Sequence, residues 1–109
     1  MSAISLSWIF LIFAGLAEVL WSYYLKQSDG FSKLWPSVFF ALALLLSMTL
    51  LALSLRSLPL SLAYPVWTGI GAVGAVLVGY AFFNEGLGNY RLLFVSLILI
   101  GVIGLKVVE

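Results

Sequence analysis

The sequence predicts an all-α integral membrane protein with four transmembrane helices, and three observations support this. Hydrophobic residues make up 64% of the 109 residues and charged residues only 8%, so the chain lacks the charged surface of a soluble domain. The apolar residues form four runs, each near the roughly 20 residues that cross a bilayer as a helix. Short polar connections separate the runs, which predicts antiparallel neighbours. We therefore expect residues 1–109 to form a single transmembrane domain.

The four predicted helices span residues 4–24, 35–55, 60–83 and 92–108. The first connection, KQSDGFSK, contains an Asp-Gly turn signal, the second, RSLP, is short, and the third, NEGLGNYR, is rich in Gly and Asn. No Lys or Arg precedes the first run, and no small-residue cleavage site ends it. We therefore expect the first run to stay in the mature protein rather than to act as a removable signal peptide.

Basic residues are distributed almost evenly over the two predicted loop faces. Arg56 and Lys106 fall on the face that holds both termini, against Lys26, Lys33 and Arg91 on the other. Orientation in the membrane depends on the Lys/Arg bias of short loops, and a bias of two against three barely specifies it. The sequence therefore predicts insertion in both orientations. The assembly that follows is an antiparallel dual-topology dimer whose two-fold axis lies in the membrane plane.

Composition excludes several classes of function. The net charge is +1 and no basic run occurs, so nucleic acid is not an expected partner. The chain has neither Cys nor His, which removes disulfides, thiolate nucleophiles and the usual zinc sites. A single deep carboxylate gives little catalytic apparatus. We expect no enzyme activity, no metal site and no cofactor.

Glu18 is the one acidic residue deep within an apolar run. A charged side chain at the bilayer centre costs about 2.5 to 3.5 kcal/mol on insertion scales, and such residues commonly mark an ion or substrate path. A carboxyl group in this position can hold either a proton or a cation, which exchange transport requires. The alternative is a neutral glutamic acid whose hydrogen bonds serve only the fold.

Trp21 follows Glu18 by three residues and therefore shares its helix face. The face of a tryptophan ring attracts cations, so Trp21 is a candidate wall of a cation site. The alternative interpretation of Trp21 is an anchor at the membrane interface.

The third run contributes a second candidate face. Tyr64, Trp67, Thr68 and Gly71 follow one another at i, i+3, i+4 and i+7, so two aromatic side chains with polar tips are expected to point the same way. Gly71 also belongs to a set of small residues that permits close helix packing or bending. Plain helix packing is the alternative explanation for these glycines.

The second and fourth runs give weaker signals. Ser47 is a candidate site hydroxyl, although a membrane serine more often bonds its own helix backbone. The fourth run has no deep polar group, which favours a role in dimerisation or lipid contact over a role as a site wall.

Three segments, AEVLW with a downstream LK, GFSKLWPS and AYPVWTGIGAVGAV, resemble the small multidrug resistance family of proton-coupled antiporters. The resemblance extends over nearly the entire chain. It implies an antiparallel dimer of four-helix protomers in the bacterial cytoplasmic membrane. In such a dimer, one glutamate per protomer contributes to a shared site that alternates between the two membrane faces.

The tryptophan after the glutamate and the stretch WTGIGAVGAV resemble the guanidinium-exporter branch of that family. The resemblance implies that Glu18 binds substrate and protons. It also implies that the site is lined by Trp21, Ser47, Tyr64 and Trp67, with Trp21 and Ser47 in contact with the glutamate or supporting it. The helix-bending and packing glycines that it implies are Gly69, Gly71 and Gly74.

Three positions depart from the patterns of the family. Pro65 stands where alanine is expected, Ala17 is more similar to the drug-exporting branch, and Phe94 replaces a glycine of the drug exporters' fourth helix. Guanidinium export coupled to protons is the leading hypothesis. A promiscuous exporter of quaternary ammonium compounds and one subunit of a heterodimeric transporter are the alternatives.

Overall fold

The computed structural model describes residues 2–108, apart from the side chain of Asn89. Its four helices are α1 (Ala3–Gln27), α2 (Leu34–Ser54), α3 (Leu60–Phe82) and α4 (Asn89–Val107). Each helix is long and apolar enough to cross a membrane. The prediction of an all-α protein with four transmembrane helices is confirmed.

Two helices are longer than the apolar runs that predict them. α1 ends at Gln27, beyond the predicted residue 24, and carries Lys26 in its last turn, where a positive charge stabilises the negative end of the helix dipole. α4 begins at Asn89, three residues before the predicted start at 92. Apolar runs underestimate both helices because polar residues can extend a helix beyond the hydrocarbon core.

α1 lies at the centre of the fold and packs against both α2 and α3. The buried core joins α1, the end of α2 and the first half of α3, and consists of Trp8, Leu11, Ala14, Leu51, Leu58, Leu62, Ala63, Val66 and Trp67. We refer to α1, α2 and α3 together as the three-helix bundle. α4 lies outside this bundle against α3, and none of its described side chains is buried.

Glycines bring the helices close together at their crossings. A Cβ atom added to Gly15 of α1 would collide with Ile70 of α3, and one added to Gly69 of α3 would collide with Val102 of α4. Small residues at such crossings let helix backbones approach closely, which supplies the van der Waals contacts that hold membrane helices together. Near the end of α4, the Lys106 ammonium lies 4.9 Å from the ring centroid of Trp8 on α1.

The α1–α2 connection is an ordered turn. Asp29, Gly30 and Phe31 have φ angles of 48°, 70° and 66°, so three consecutive residues adopt the left-handed conformation. The fully buried Ser28 fixes this turn, because its Oγ accepts a hydrogen bond of 3.2 Å from the Phe31 N–H. The turn directs the Phe31 ring toward α2, where its centroid lies 5.5 Å from that of Phe40.

Pro65 lies inside α3 without interrupting it. Because proline has no N–H, the Ser61 carbonyl loses its usual partner within the helix. The helix nevertheless continues through the glycine-rich stretch to Phe82. The bending of α3 that the resemblance implies therefore stays a prediction.

Candidate functional site

Glu18 lies in the three-helix bundle, where α1 faces α3. Its side chain is half-buried, and its carboxyl group packs against the backbone of Gly71. A Cβ atom at position 71 would collide with both the carboxyl carbon and Oε2 of Glu18. The absence of a side chain at Gly71 therefore creates the space that the carboxyl group occupies. One turn further along α3, Gly74 gives similar room to Val19.

Two polar atoms on α1 are buried without a hydrogen-bond partner among the described residues: Glu18 Oε2 and Trp21 Nε1. A buried unpaired polar group costs about 1 to 3 kcal/mol, so such groups are rare outside functional sites. The two residues are three apart and share a helix face. The site therefore offers an acceptor for a proton or a cation and, about one turn further along α1, an unused indole donor.

A buried chain of hydrogen bonds connects all three helices one turn before Glu18. Trp67 Nε1 of α3 donates to Ser47 Oγ of α2 at 3.0 Å, and Ser47 Oγ donates to the Ala14 carbonyl of α1 at 2.8 Å. Ser47 has no exposed surface. In this arrangement Ser47 reaches the turn that precedes Glu18 and not the carboxyl group itself. A contact between Ser47 and Glu18 during transport therefore stays a prediction.

The structure divides the face of α3 that the sequence predicts. Trp67 is 5% exposed and Gly71 is buried, so both point into the three-helix bundle. Tyr64 is 51% exposed, and Thr68 is exposed as well. The rings of Tyr64 and Trp67 still touch, with centroids 5.5 Å apart. Tyr64 therefore lies at the surface of α3, while Trp67 lies inside the three-helix bundle, and the role of both in a substrate site stays a prediction.

Phe40 is a neighbour of the site that the sequence analysis missed. Its ring centroid lies 5.8 Å from that of Trp21, with an interplanar angle of 81°. The available signal was helical spacing, because Phe40 precedes the buried Ala43 by three residues and the buried Ser47 by seven. An apolar side chain in a leucine-rich membrane helix gives no chemical reason to single it out.

Comparisons with known proteins agree with this architecture. The family model for Small Multidrug Resistance protein matches residues 6–98. The protein named Guanidinium exporter from Escherichia coli K12 is 50% identical over 101 residues, which cover 93% of this chain and 96% of that protein. The proteins of that name from Salmonella typhimurium LT2 and Yersinia pestis are each 48% identical over 93% of this chain, and the match covers 96% and 97% of their lengths.

Two findings now identify the class of protein: the four helices that can span a membrane and the family match over most of the chain. The protein is a multi-pass protein of the bacterial inner membrane. The chain belongs to the small multidrug resistance protein family.

Proposed function

We propose that this protein is a proton-coupled antiporter that exports guanidinium or small guanidinyl cations. The observation that carries the proposal is the Glu18 carboxyl group, which lies in a membrane-spanning bundle with one oxygen buried and unpaired. The identity of 50% to the Guanidinium exporter of Escherichia coli K12 supports the choice of substrate. The activity is transport, so we propose no catalytic residue.

The chemistry of the site suits a guanidinium ion. A planar guanidinium cation presents parallel N–H donors that match a carboxylate, and its delocalised charge stacks on aromatic rings. In the proposal, Glu18 binds either the cation or a proton, so the arrival of one releases the other. Trp21, Ser47, Tyr64 and Trp67 line the site around the carboxyl group. Exchange between the two membrane faces follows from a shift between inward-open and outward-open states.

The proposed transporter is an antiparallel homodimer. One copy leaves most of the described surface of α4 exposed, including Leu97 at 53% and Ile100 at 64%. A second copy in the opposite orientation would bring a second Glu18 to a shared site and cover part of α4. The near-equal distribution of Lys and Arg over the two loop faces supports insertion in both orientations.

Export of quaternary ammonium compounds is the second candidate function. α2 and α3 touch each other much less than either touches α1, which leaves a route for bulkier cations between them. Ala17, buried beside Glu18, supports the same alternative by its similarity to the drug exporters.

Currents from purified protein in liposomes on a solid-supported membrane test the proposal. We expect guanidinium to drive a current in the unmodified protein that Glu18→Gln abolishes and that tetrapropylammonium does not elicit. Glu85→Gln is the matched control, because Glu85 is exposed in the α3–α4 connection. Equal currents from both cations would support the promiscuous exporter, and no current from a well-folded dimer would support the heterodimeric alternative.

Insertion in both orientations has its own test. The paired change Gly86→Lys and Gly88→Lys adds two charges to one loop face at positions where a Cβ atom meets open space. The chain has no cysteine, so Ser57→Cys provides a single exposed label on the opposite face. Without the Lys substitutions, we expect Cys at position 57 to react with a membrane-impermeant label from both sides of the membrane. With them, we expect it to react from one side only and transport to be lost. Access from one side in the parent would contradict the antiparallel homodimer.

A further inference from the structure

Phe40 occupies the position where the buried stripe of α2 meets the site. It lies on the same face of α2 as Ala43 and Ser47, and it is half-buried. Its neighbour Phe39 lies on another face, is 43% exposed, and touches Trp35 and Tyr24 instead. Two adjacent phenylalanines therefore have different surroundings, and only Phe40 reaches the residues around Glu18.

Phe40 determines where the Trp21 ring can lie. The two rings meet edge to face, with centroids 5.8 Å apart and an interplanar angle of 81°, a geometry that aromatic pairs favour. Trp21 follows Glu18 by three residues, so its ring stands on the same side of α1 as the carboxyl group. Phe40 occupies the space on the α2 side of Trp21, so the indole cannot shift toward α2 without displacing the Phe40 ring.

A second contact holds Phe40 in place from the α1–α2 turn. The Phe31 ring packs on Phe40 with centroids 5.5 Å apart. Phe31 itself has a φ of 66°, which is unfavourable for a bulky residue and persists only where the surroundings enforce it. Ser28 supplies part of that constraint by accepting a hydrogen bond from the Phe31 N–H. The three rings of Trp21, Phe40 and Phe31 thus form a continuous aromatic column from the site to the turn.

We propose that Phe40 sets the upper size limit of the cation that Glu18 accepts, by holding Trp21 against the site. The proposal deepens the proposed function, because it concerns the substrate class of the same site. A small planar cation fits between the carboxyl group and a fixed indole ring. A tetraalkylammonium ion needs the volume that Trp21 and Phe40 fill. Phe40 acts through Trp21 and is therefore a positioning residue.

Cation binding to the purified dimeric protein in nanodiscs tests this proposal. The probes are guanidinium, tetramethylammonium, tetraethylammonium and tetrapropylammonium, and affinities are measured by isothermal titration calorimetry. Phe40→Ala is the test variant, Phe40→Leu the milder one, and Phe39→Ala the matched control. Circular dichroism and size exclusion establish which variants are folded.

We expect Phe40→Ala to bind tetrapropylammonium about tenfold more tightly relative to guanidinium, the scale on which one methylene changes recognition in an apolar pocket. Phe40→Leu should shift the same ratio by less, and Phe39→Ala should leave it unchanged. If Phe40 had a merely structural role, Phe40→Ala would weaken the binding of all four cations alike, and the ratio of affinities would not change. That outcome would overturn the proposal, as would an equal shift from Phe39→Ala. If Phe40→Ala does not fold, the shift in Phe40→Leu decides.

The two proposals fail in different ways. If the unmodified protein binds tetraalkylammonium ions in a Glu18-dependent manner but not guanidinium, the proposed substrate is wrong. The size limit can still be measured in that case, because the tetraalkylammonium ions alone show whether Phe40→Ala accepts larger cations. If guanidinium binds through Glu18 and no Phe40 variant changes the size limit, only the role of Phe40 is wrong.

Discussion

α1 and α4 are both apolar enough to cross a membrane, yet they are used in opposite ways. In the three-helix bundle, α1 contacts two neighbours and buries residues such as Leu11 and Ala14 completely. α4 contacts chiefly α3 and buries none of its described side chains. Hydropathy therefore indicates which segments cross the membrane but not which of them pack inside the protomer.

The glycines show where the difference between the two regions arises. In the bundle, Gly15 and Gly71 each lie so close to another helix that a Cβ atom would collide with a side chain. In α4, Gly101 and Gly104 face open space. Within one chain, the bundle glycines are already used for close packing. The α4 glycines remain available for contact with lipid or with the second copy that we propose.

The strongest test of this contrast is Gly71→Ala compared with Gly104→Ala. The new Cβ at position 71 would collide with the carboxyl group of Glu18, which is the end of a flexible side chain. We expect the fold to survive because the carboxyl group moves aside. Transport should fall by about 100-fold if the binding carboxyl group is as sensitive to position as a catalytic group, for which a misplacement near 1 Å has that effect. Glu18-dependent current in liposomes and thermal stability are measured together.

Gly104→Ala should leave the stability of a single chain unchanged, because nothing lies within 4 Å of the added Cβ atom. Transport at the normal rate by Gly71→Ala would contradict the proposed role of Gly71. It would mean that transport does not depend on the position of the Glu18 carboxyl group. Unfolding of Gly71→Ala would contradict it as well, because the glycine would then be needed for helix packing and not for the site.

The next largest effect is expected from truncating one apolar residue in each region. Leu11 is completely buried, and Leu11→Ala should cost about 2 to 5 kcal/mol of unfolding free energy because it leaves a cavity. Ile100 is 64% exposed, and Ile100→Ala should cost less than about 0.5 kcal/mol in a monomer. Denaturant titration in detergent, followed by circular dichroism, measures both.

Protein concentration sharpens this second test. If a second copy packs on α4, the cost of Ile100→Ala should grow under conditions in which the dimer forms, while the cost of Leu11→Ala should not change. An equally large cost for Ile100→Ala in the monomer would contradict the exposed position of α4.

The sequence predicts much of this fold but only part of the site. Features set within one helix can be predicted, whereas contacts between helices cannot. The number of membrane-spanning helices follows from the lengths of the apolar runs, whereas the polar ends of α1 and α4 do not. Glu18 and Trp21 can be placed on one face because the helical period fixes residues three apart. The link from Trp67 through Ser47 to the Ala14 carbonyl joins three helices, and no periodicity within a helix reveals which helices are neighbours. Phe40 and Phe39 are the same residue type, so the helical spacing that places Phe40 on the face of Ser47 gives no chemical reason to select it, and only packing shows its contact with Trp21.

The smallest effect that we predict concerns two serines. Ser47 Oγ is buried between Trp67 Nε1 and the Ala14 carbonyl, whereas Ser96 Oγ donates to the Leu92 carbonyl of its own helix and is exposed. Ser47→Ala removes the acceptor of a buried indole N–H, which should cost about 1 to 3 kcal/mol of unfolding free energy. Ser96→Ala should change it by less than about 0.5 kcal/mol.

Chemical denaturation of both serine variants gives the comparison directly. Ser47→Thr is the conservative companion, because it keeps a hydroxyl group that can accept from Trp67. If Ser47→Thr restores part of the stability that Ser47→Ala loses, the hydrogen bonds account for that part of the loss. Equal stabilities for Ser47→Ala and Ser96→Ala would instead mean that the three-helix link contributes nothing beyond the packing around it. The buried contacts of the bundle would then stabilise it through packing and not through this pair of hydrogen bonds.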